Sequence, residues 1–427
     1  MGGFNKLESW VSQSSLLFRA TWWFAMYYNL AVLAIFAFLF SAVAGRIERS
    51  VISGPMIFIA FGLISGPLVL RVLDINVDAV QLRVVADLAL ALVLFIDAAN
   101  ADLSLLKKFS HIPGRMLLIG LPMTIALGAI IGWMFFPQMP FFELCILSTM
   151  LAATDAALGK GVVSNKSVPA RLREGLNAES GLNDGLCVPV LFLFIALAVN
   201  SQTEGTSLAL TLFIKEIGIG AVVGLGLTGV GAAIVKYCYF KGWFTSIWLQ
   251  IPVIALAFSS FAVAQTLHGS GYIAAFVGGL LFGKLAKKDT HELVLASEGF
   301  AELIVMLTWV IFGAAVVGQV WLGISLDVLF YSLLSLTVIR IIPIVISLHG
   351  TDESLEHKLF LGWFGPRGLA SIVFLLIAID NPLTSESILV DVVVCTVTLC
   401  VVTHGISANI WANRLARQSQ QACKKNL

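Results

Sequence analysis

Apolar stretches long enough to enter a bilayer recur along the chain from residue 24 to residue 412, separated by short polar or Gly/Pro-containing joints. A helix needs about 20 residues to cross a hydrocarbon core. The pattern predicts thirteen membrane segments, at 24–45, 51–72, 81–100, 113–136, 141–163, 174–200, 208–236, 246–267, 271–286, 295–318, 322–348, 357–380 and 387–412. The ninth is the shortest. The expected class is an all-α polytopic membrane protein. It has an N-terminal leader over 1–23, one membrane domain over 24–413 and a short tail over 414–427. Lys6, Glu8 and Arg19 interrupt the leader, and no continuous apolar core precedes Thr21, so it does not read as a cleavable signal peptide.

Composition agrees with the pattern: 59% of the 427 residues are hydrophobic, 12% are charged, and mean hydropathy is +0.95. The basic residues give the expected orientation, because cytoplasmic loops collect Lys and Arg. Odd-numbered joints and the tail hold nineteen of them, from Arg46 and Arg49 through Lys107 and Lys108 to Lys424 and Lys425, whereas even-numbered joints hold Arg71 and Arg83. That asymmetry predicts an external N-terminus, a cytoplasmic C-terminus and an odd number of crossings. The six cysteines form no disulfide framework. A net charge of +1 spread over loops argues against a nucleic-acid partner. No G-x-x-x-x-G-K-[ST] run points to a nucleotide.

Two segments are interrupted. In the fifth, Thr154 and Asp155 follow thirteen residues of FFELCILSTMLAATDAALGKGVV, and Gly159 and Gly161 loosen what comes after. In the twelfth, Gly365, Pro366 and Gly368 surround Arg367. Paired breaks in corresponding places mark the binding site of a secondary transporter, since freed N–H and C=O groups carry partial charges. Close helix packing through glycine is the competing explanation.

The sixth segment begins EGLNAESGLNDGLCVPVLFLF, over 174–194, and places Glu179 and Asp184 where hydrocarbon offers no solvation. Each needs a partner, a wet cavity or a proton. Ser180 and Asp184 are four apart and share a helix face, whereas Glu179 and Asp184 are five apart, about 140° around the helix. Glu179 is therefore expected to pair with Arg340 of the eleventh segment, with Glu298 and Glu302 of the tenth as rival partners. Thr154, Asp155, Ser180 and Asn183 offer the hard oxygen ligands a monovalent cation requires. Asn183 is offset from the Ser180–Asp184 face and has an alternative role in orienting the break. Asp155 has one as a helix-terminus anchor. Arg367 is expected to offset partial charge at a helix end. Asp97 reads equally as an access-path group or a helix terminator. His268, His291 and His349 fall near loops.

Four stretches together, Thr154-Asp155, Glu179-Ser180-Gly181-Leu182-Asn183-Asp184, His268 to Phe276 (HGSGYIAAF) and Gly365-Pro366-Arg367-Gly368, resemble the monovalent cation:proton antiporter family 1, the NhaP-type and sodium/hydrogen exchangers. Arg340 and Asp97 also sit where this family carries charge. The resemblance covers nearly the whole chain. Where many members have proline after the Thr-Asp pair, this chain has Ala156. The resemblance implies inverted repeats, two crossed discontinuous helices in segments five and twelve, and a dimerisation panel beside a mobile ion-binding core. Asn183-Asp184 resembles the electroneutral members.

The expected function is exchange of a monovalent cation, Na⁺ first and K⁺ or Li⁺ next, for H⁺. Asp184 would bind proton and cation in competition, with Ser180, Thr154 and Asp155 completing the cation site. No cofactor is expected. The expected partners are membrane lipids and a second copy of the chain, and the expected location is a bacterial inner membrane. An intramembrane hydrolase is the rival enzyme reading. It lacks a G-x-S-x-G elbow at Ser180, but Asp155 and Asp184 could imitate an aspartyl pair. A cation channel is the third reading.

Overall fold

The computed structural model describes residues 27–47, 50, 52–73, 79–101, 111–155, 168–200, 206–245, 247–286 and 291–425, and among them there is helix and no strand. In chain order the helices are α1 (Tyr27–Ile47), α2 (Gly54–Ser65), α3 (Ala79–Asn100), α4 (Ile112–Phe135), α5 (Phe141–Met150), α6 (Ala170–Asn200), α7 (Thr206–Phe240), α8 (Ile251–Thr266) and α9 (Gly271–Ala286). Then come α10 (Leu293–Trp321), α11 (Leu326–Ser347), α12 in two halves, α12a (Leu355–Trp363) and α12b (Leu369–Ile379), and α13 (Glu386–Lys425).

Every predicted segment coincides with one of these helices, but thirteen independent crossings do not follow. Among the described residues, eight helices are long and apolar enough to span a membrane on their own. Helices α2, α5, α9 and α12b are apolar but shorter, and α3 carries Arg83, Asp87 and Asp97. The breaks are one physical reason for the difference, since each cuts a run of about 20 apolar residues into shorter pieces. Segment five shows this best. Helix stops at Met150, four residues before the expected Thr154, and positions 156–163 of that segment, with Ala156, Gly159 and Gly161, lie outside the described residues.

Local chemistry explains several helix ends. Ser325 and Ser354 cap α11 and α12a by accepting from Val328 N (3.3 Å) and His357 N (3.2 Å), each with an acidic residue in the first turn. His268 ends α8 in the left-handed region at φ 57°, and Ser270 then caps α9 by accepting from Ile273 N. Helix α11 is kinked at Thr337 (φ −113°, ψ −90°), and π-turns interrupt α4 at Met116–Gly120 and α10 at Gly313–Val317.

The helices sort into two groups. One contains α1–α3 and α7–α10, and the other contains α4–α6 and α11–α13; most helix contacts fall inside one group or the other, the main exception being α6 on α7, and one continuous apolar core runs through both. In the first group α3 and α9 approach backbone to backbone. Gly279 and Gly283 sit directly against the carbonyls of Phe95 and Ala99, leaving no room for a side chain. Helix α3 also packs on α10, α4 on α11 and α5 on α12. Each of these pairs is separated by seven in helix number, the relation an inverted repeat would produce. An ion pair between Arg83 of α3 and Asp380 at the end of α12b joins the two groups.

Candidate functional site

The two breaks lie against each other, and each satisfies backbone groups that the other leaves open. Asp155 N donates to Pro366 O at 2.8 Å, and Asp155 Oδ2 accepts from Leu369 N at 3.0 Å, capping the start of α12b. Ser371 Oγ in turn donates at 2.7 Å to Met150 O at the end of α5. A carboxylate at a helix N-terminus is stabilised by the dipole as well as by the hydrogen bond. Gly368 makes this approach possible, because any Cβ there would run into the Asp155 side chain.

Helix α6 brings its polar face to the same place. Thr154 N, freed where α5 stops, donates to Asp184 Oδ1 at 3.1 Å, and Asp184 is 6% exposed. Asn183 Nδ2 spans the α5 break and α6 by reaching Ala152 O (3.0 Å), Thr154 Oγ1 (2.9 Å) and Glu179 Oε1 (3.1 Å). Its amide is engaged with the break rather than turned toward a ligand. Ser180 lies one turn before Asp184 on the same face and is buried with it.

Arg340 Nη2 donates to Glu179 Oε1 at 2.8 Å, both side chains being 1% exposed. Its rivals are elsewhere: Glu298 accepts from Asn100 Nδ2 at 3.2 Å, and Glu302 borders a cavity between α1, α2 and α10. Arg367 reaches Gly365 O (3.0 Å) in its own break and Ser335 O (3.4 Å) beside the Thr337 kink. The guanidinium thus lies against one carbonyl at the end of the first half of α11 and one in its own break. Asp97 is partly exposed and packs over Gly181 of α6, at the rim of the site and not in its centre.

The centre thus brings together the buried Glu179 and Asp184, the partly exposed Asp155, and two buried guanidiniums, Arg340 and Arg367. The formal charges of these five described groups sum to −1, before the Asp97 carboxylate at the rim is counted. One proton or one monovalent cation offsets that charge. Among the described residues no group of three or more His, Cys, Asp or Glu side chains is placed to hold a metal ion.

Several participants escape the sequence reading. Glu143, 3% exposed at the start of α5, accepts from Thr384 N and Oγ1 (both 2.8 Å) and Ser385 N (2.9 Å), tying α5 to the loop before α13. An acidic residue inside an apolar run just after Pro140 is the signal that could have found it. Tyr272, in the HGSGY stretch, donates to Asp87 Oδ1 of α3 at 2.6 Å. His268 and His349 are exposed, and neither touches the site.

A sequence profile described as "Sodium/hydrogen exchanger, transmembrane" matches residues 32–414. The chain belongs to this sodium/hydrogen exchanger family. Similar exchangers include the K⁺/H⁺ antiporter NhaP of Alkalimonas amylolytica, 23% identical over 354 residues, which are 82% of this chain and 60% of that protein. The K⁺/H⁺ antiporter NhaP2 of Shewanella sp. (strain ANA-3) is 23% identical over 91% of this chain and 66% of its own length. The Na⁺/H⁺ antiporter 2 of Zygosaccharomyces rouxii is 28% identical over 79% of this chain and 44% of its length. The chain thus spans less than two thirds of these relatives. The sodium proton antiporter MjNhaP1 from Methanocaldococcus jannaschii shares the exchanger fold, with a TM-score of 0.73 at 21% identity over 92% of this chain and 99% of that one.

Proposed function

We propose that the protein is a secondary antiporter exchanging one monovalent cation for one proton, with Asp184 binding each in turn. The observation that carries this reading is a buried carboxylate, Asp184, bonded to a backbone N–H freed at the α5 break while Arg340 is taken by Glu179. A carboxylate in that position takes a proton or a cation but gains nothing from both, so competition at one site supplies the coupling. Asp184 with Ser180, Thr154 and Asp155 forms the cation site, Glu179 and Arg340 hold its shape, and Asp97 stands on the access path. A bare Asp184 resists movement through an apolar barrier, which suppresses leak. The relatives named for Na⁺/H⁺ and K⁺/H⁺ exchange support the class of cargo and leave Na⁺, K⁺ and Li⁺ as the candidates. One charge exchanged for one makes the cycle electroneutral.

In this reading the group α4–α6 with α11–α13 moves against the group α1–α3 with α7–α10, and the latter provides the surface for a homodimer in lipid. The N-terminus faces outward and the tail lies in the cytoplasm, as the Lys/Arg asymmetry requires for a bacterial inner-membrane protein. Both aspartates of the rival hydrolase reading already accept backbone N–H groups of the breaks, which favours an architectural and ionic role for them.

The test is proton movement in proteoliposomes under an imposed pH gradient, with each alkali cation added in turn. The expected result is cation-dependent exchange, insensitive to membrane potential and abolished by Asp184→Asn. Unchanged exchange in that variant contradicts the proposal.

A further inference from the structure

Asp155 holds the α12 break from α5; three residues of α13, Cys400, His404 and Ser407, hold it as well. Spaced four and three apart, they share one face of their helix. His404, 2% exposed, places Nε2 2.7 Å from the carbonyl oxygen of Trp363, the last residue of α12a. A carbonyl only accepts, so Nε2 carries the hydrogen and donates it whatever the state of Nδ1. The Trp363 ring stacks on the imidazole with centroids 4.9 Å apart and planes at 20°, and its Nε1 donates to Ser407 Oγ at 2.9 Å. Four residues farther along α12, Arg367 N donates to Cys400 Sγ at 2.9 Å. Both lips of the break are therefore tied to one helix face by directional bonds, from the buried His404 and Cys400 and the partly exposed Ser407. Covering the break would need only aliphatic side chains; fixing its shape needs donors and acceptors at defined positions.

We propose that His404, Cys400 and Ser407 are positioning residues for ion exchange, setting the shape of the α12 break and through it the place of Arg367 and Asp155 beside Asp184. The route is short. Pro366 O and Leu369 N, which fix Asp155, belong to the same break, and Thr154, the neighbour of Asp155, donates to Asp184. This inference rests on the antiport reading above.

The test compares His404→Ala with His404→Gln in proteoliposomes containing equal amounts of folded protein. Losing the donor to a buried carbonyl is expected to raise the cation concentration for half-maximal exchange about tenfold and to shift the pH profile. Gln, whose amide N–H reaches the same carbonyl, is expected to recover most of both. His404→Ala with lower thermal stability but an unchanged half-saturation and pH profile overturns the proposal, as does Gln performing no better than Ala. If His404→Ala yields no folded protein, Cys400→Ala against Cys400→Ser decides on the same two readouts, since a hydroxyl keeps an acceptor for Arg367 N. Asp184→Asn in the same vesicles separates the two ideas. Exchange surviving there removes the antiport reading, whereas exchange lost there with His404→Ala unaffected removes only the positioning role.

Discussion

Two carboxylates five residues apart on one helix have different surroundings. Glu179 is bound to a guanidinium and an amide, so its charge is answered inside the protein. Asp184 receives one backbone N–H and no guanidinium among the described residues. Helical spacing already pointed to this division, because 140° of rotation sends the two side chains to different neighbours. The sequence favours Glu179 for Arg340 without excluding Glu298 and Glu302, because the choice depends on how α6, α10 and α11 are placed in space. Removing one member of so buried a pair strands the other charge. Glu179→Ala or Arg340→Ala is therefore expected to lose about 3–5 kcal/mol of stability, read as a large fall in the midpoint of thermal unfolding in detergent. A fall no larger than that of an exposed ion-pair variant contradicts the pairing.

At the scale of helices, the α12 break was legible because Gly365, Pro366 and Gly368 are poor helix residues packed into four positions. The end of α5 was not. Nothing at Met150 or Leu151 disfavours helix; the chain leaves it because Asp155 and Thr154 are bonded to α12 and α6, which a local pattern does not contain. The Thr337 kink is similar, with the Ser335 carbonyl facing Arg367. Glu143 and His404 owe their roles to partners far away in sequence, which a local pattern does not contain either. The HGSGY stretch supplies a left-handed turn, a helix cap and a tyrosine bonded to α3. Gly368 tests the contact between breaks most sharply. Gly368→Ala puts a methyl group into Asp155, so the two breaks must separate. Folded protein is expected to keep its helix content but lose exchange at least tenfold, an effect of the size that small misplacements have on a preorganised site. Near-normal exchange by this variant contradicts the account of the contact.

For the whole molecule, the two helix groups give an exchange mechanism its moving parts. The site lies mainly in one group, with α3 of the other contributing Asp97 at the rim. Segment count and group membership were only partly legible, because broken helices resemble short ones and packing partners are not written in hydropathy. The proposed cycle makes one demand on this architecture: the charge at Asp184 must be neutralised before the groups shift. Neutralisation by proton or by cation is equivalent, so binding one must expel the other. The direct measurement is titration calorimetry of purified protein with a transported alkali cation, in two buffers of different ionisation enthalpy near the pH at which half the sites are protonated. Comparing the buffers gives the protons released per cation bound. The account predicts net proton release rising toward one per cation as pH is lowered, and neither cation binding nor release in Asp184→Asn. Cation binding without proton release at any pH, or release that persists in that variant, would contradict it.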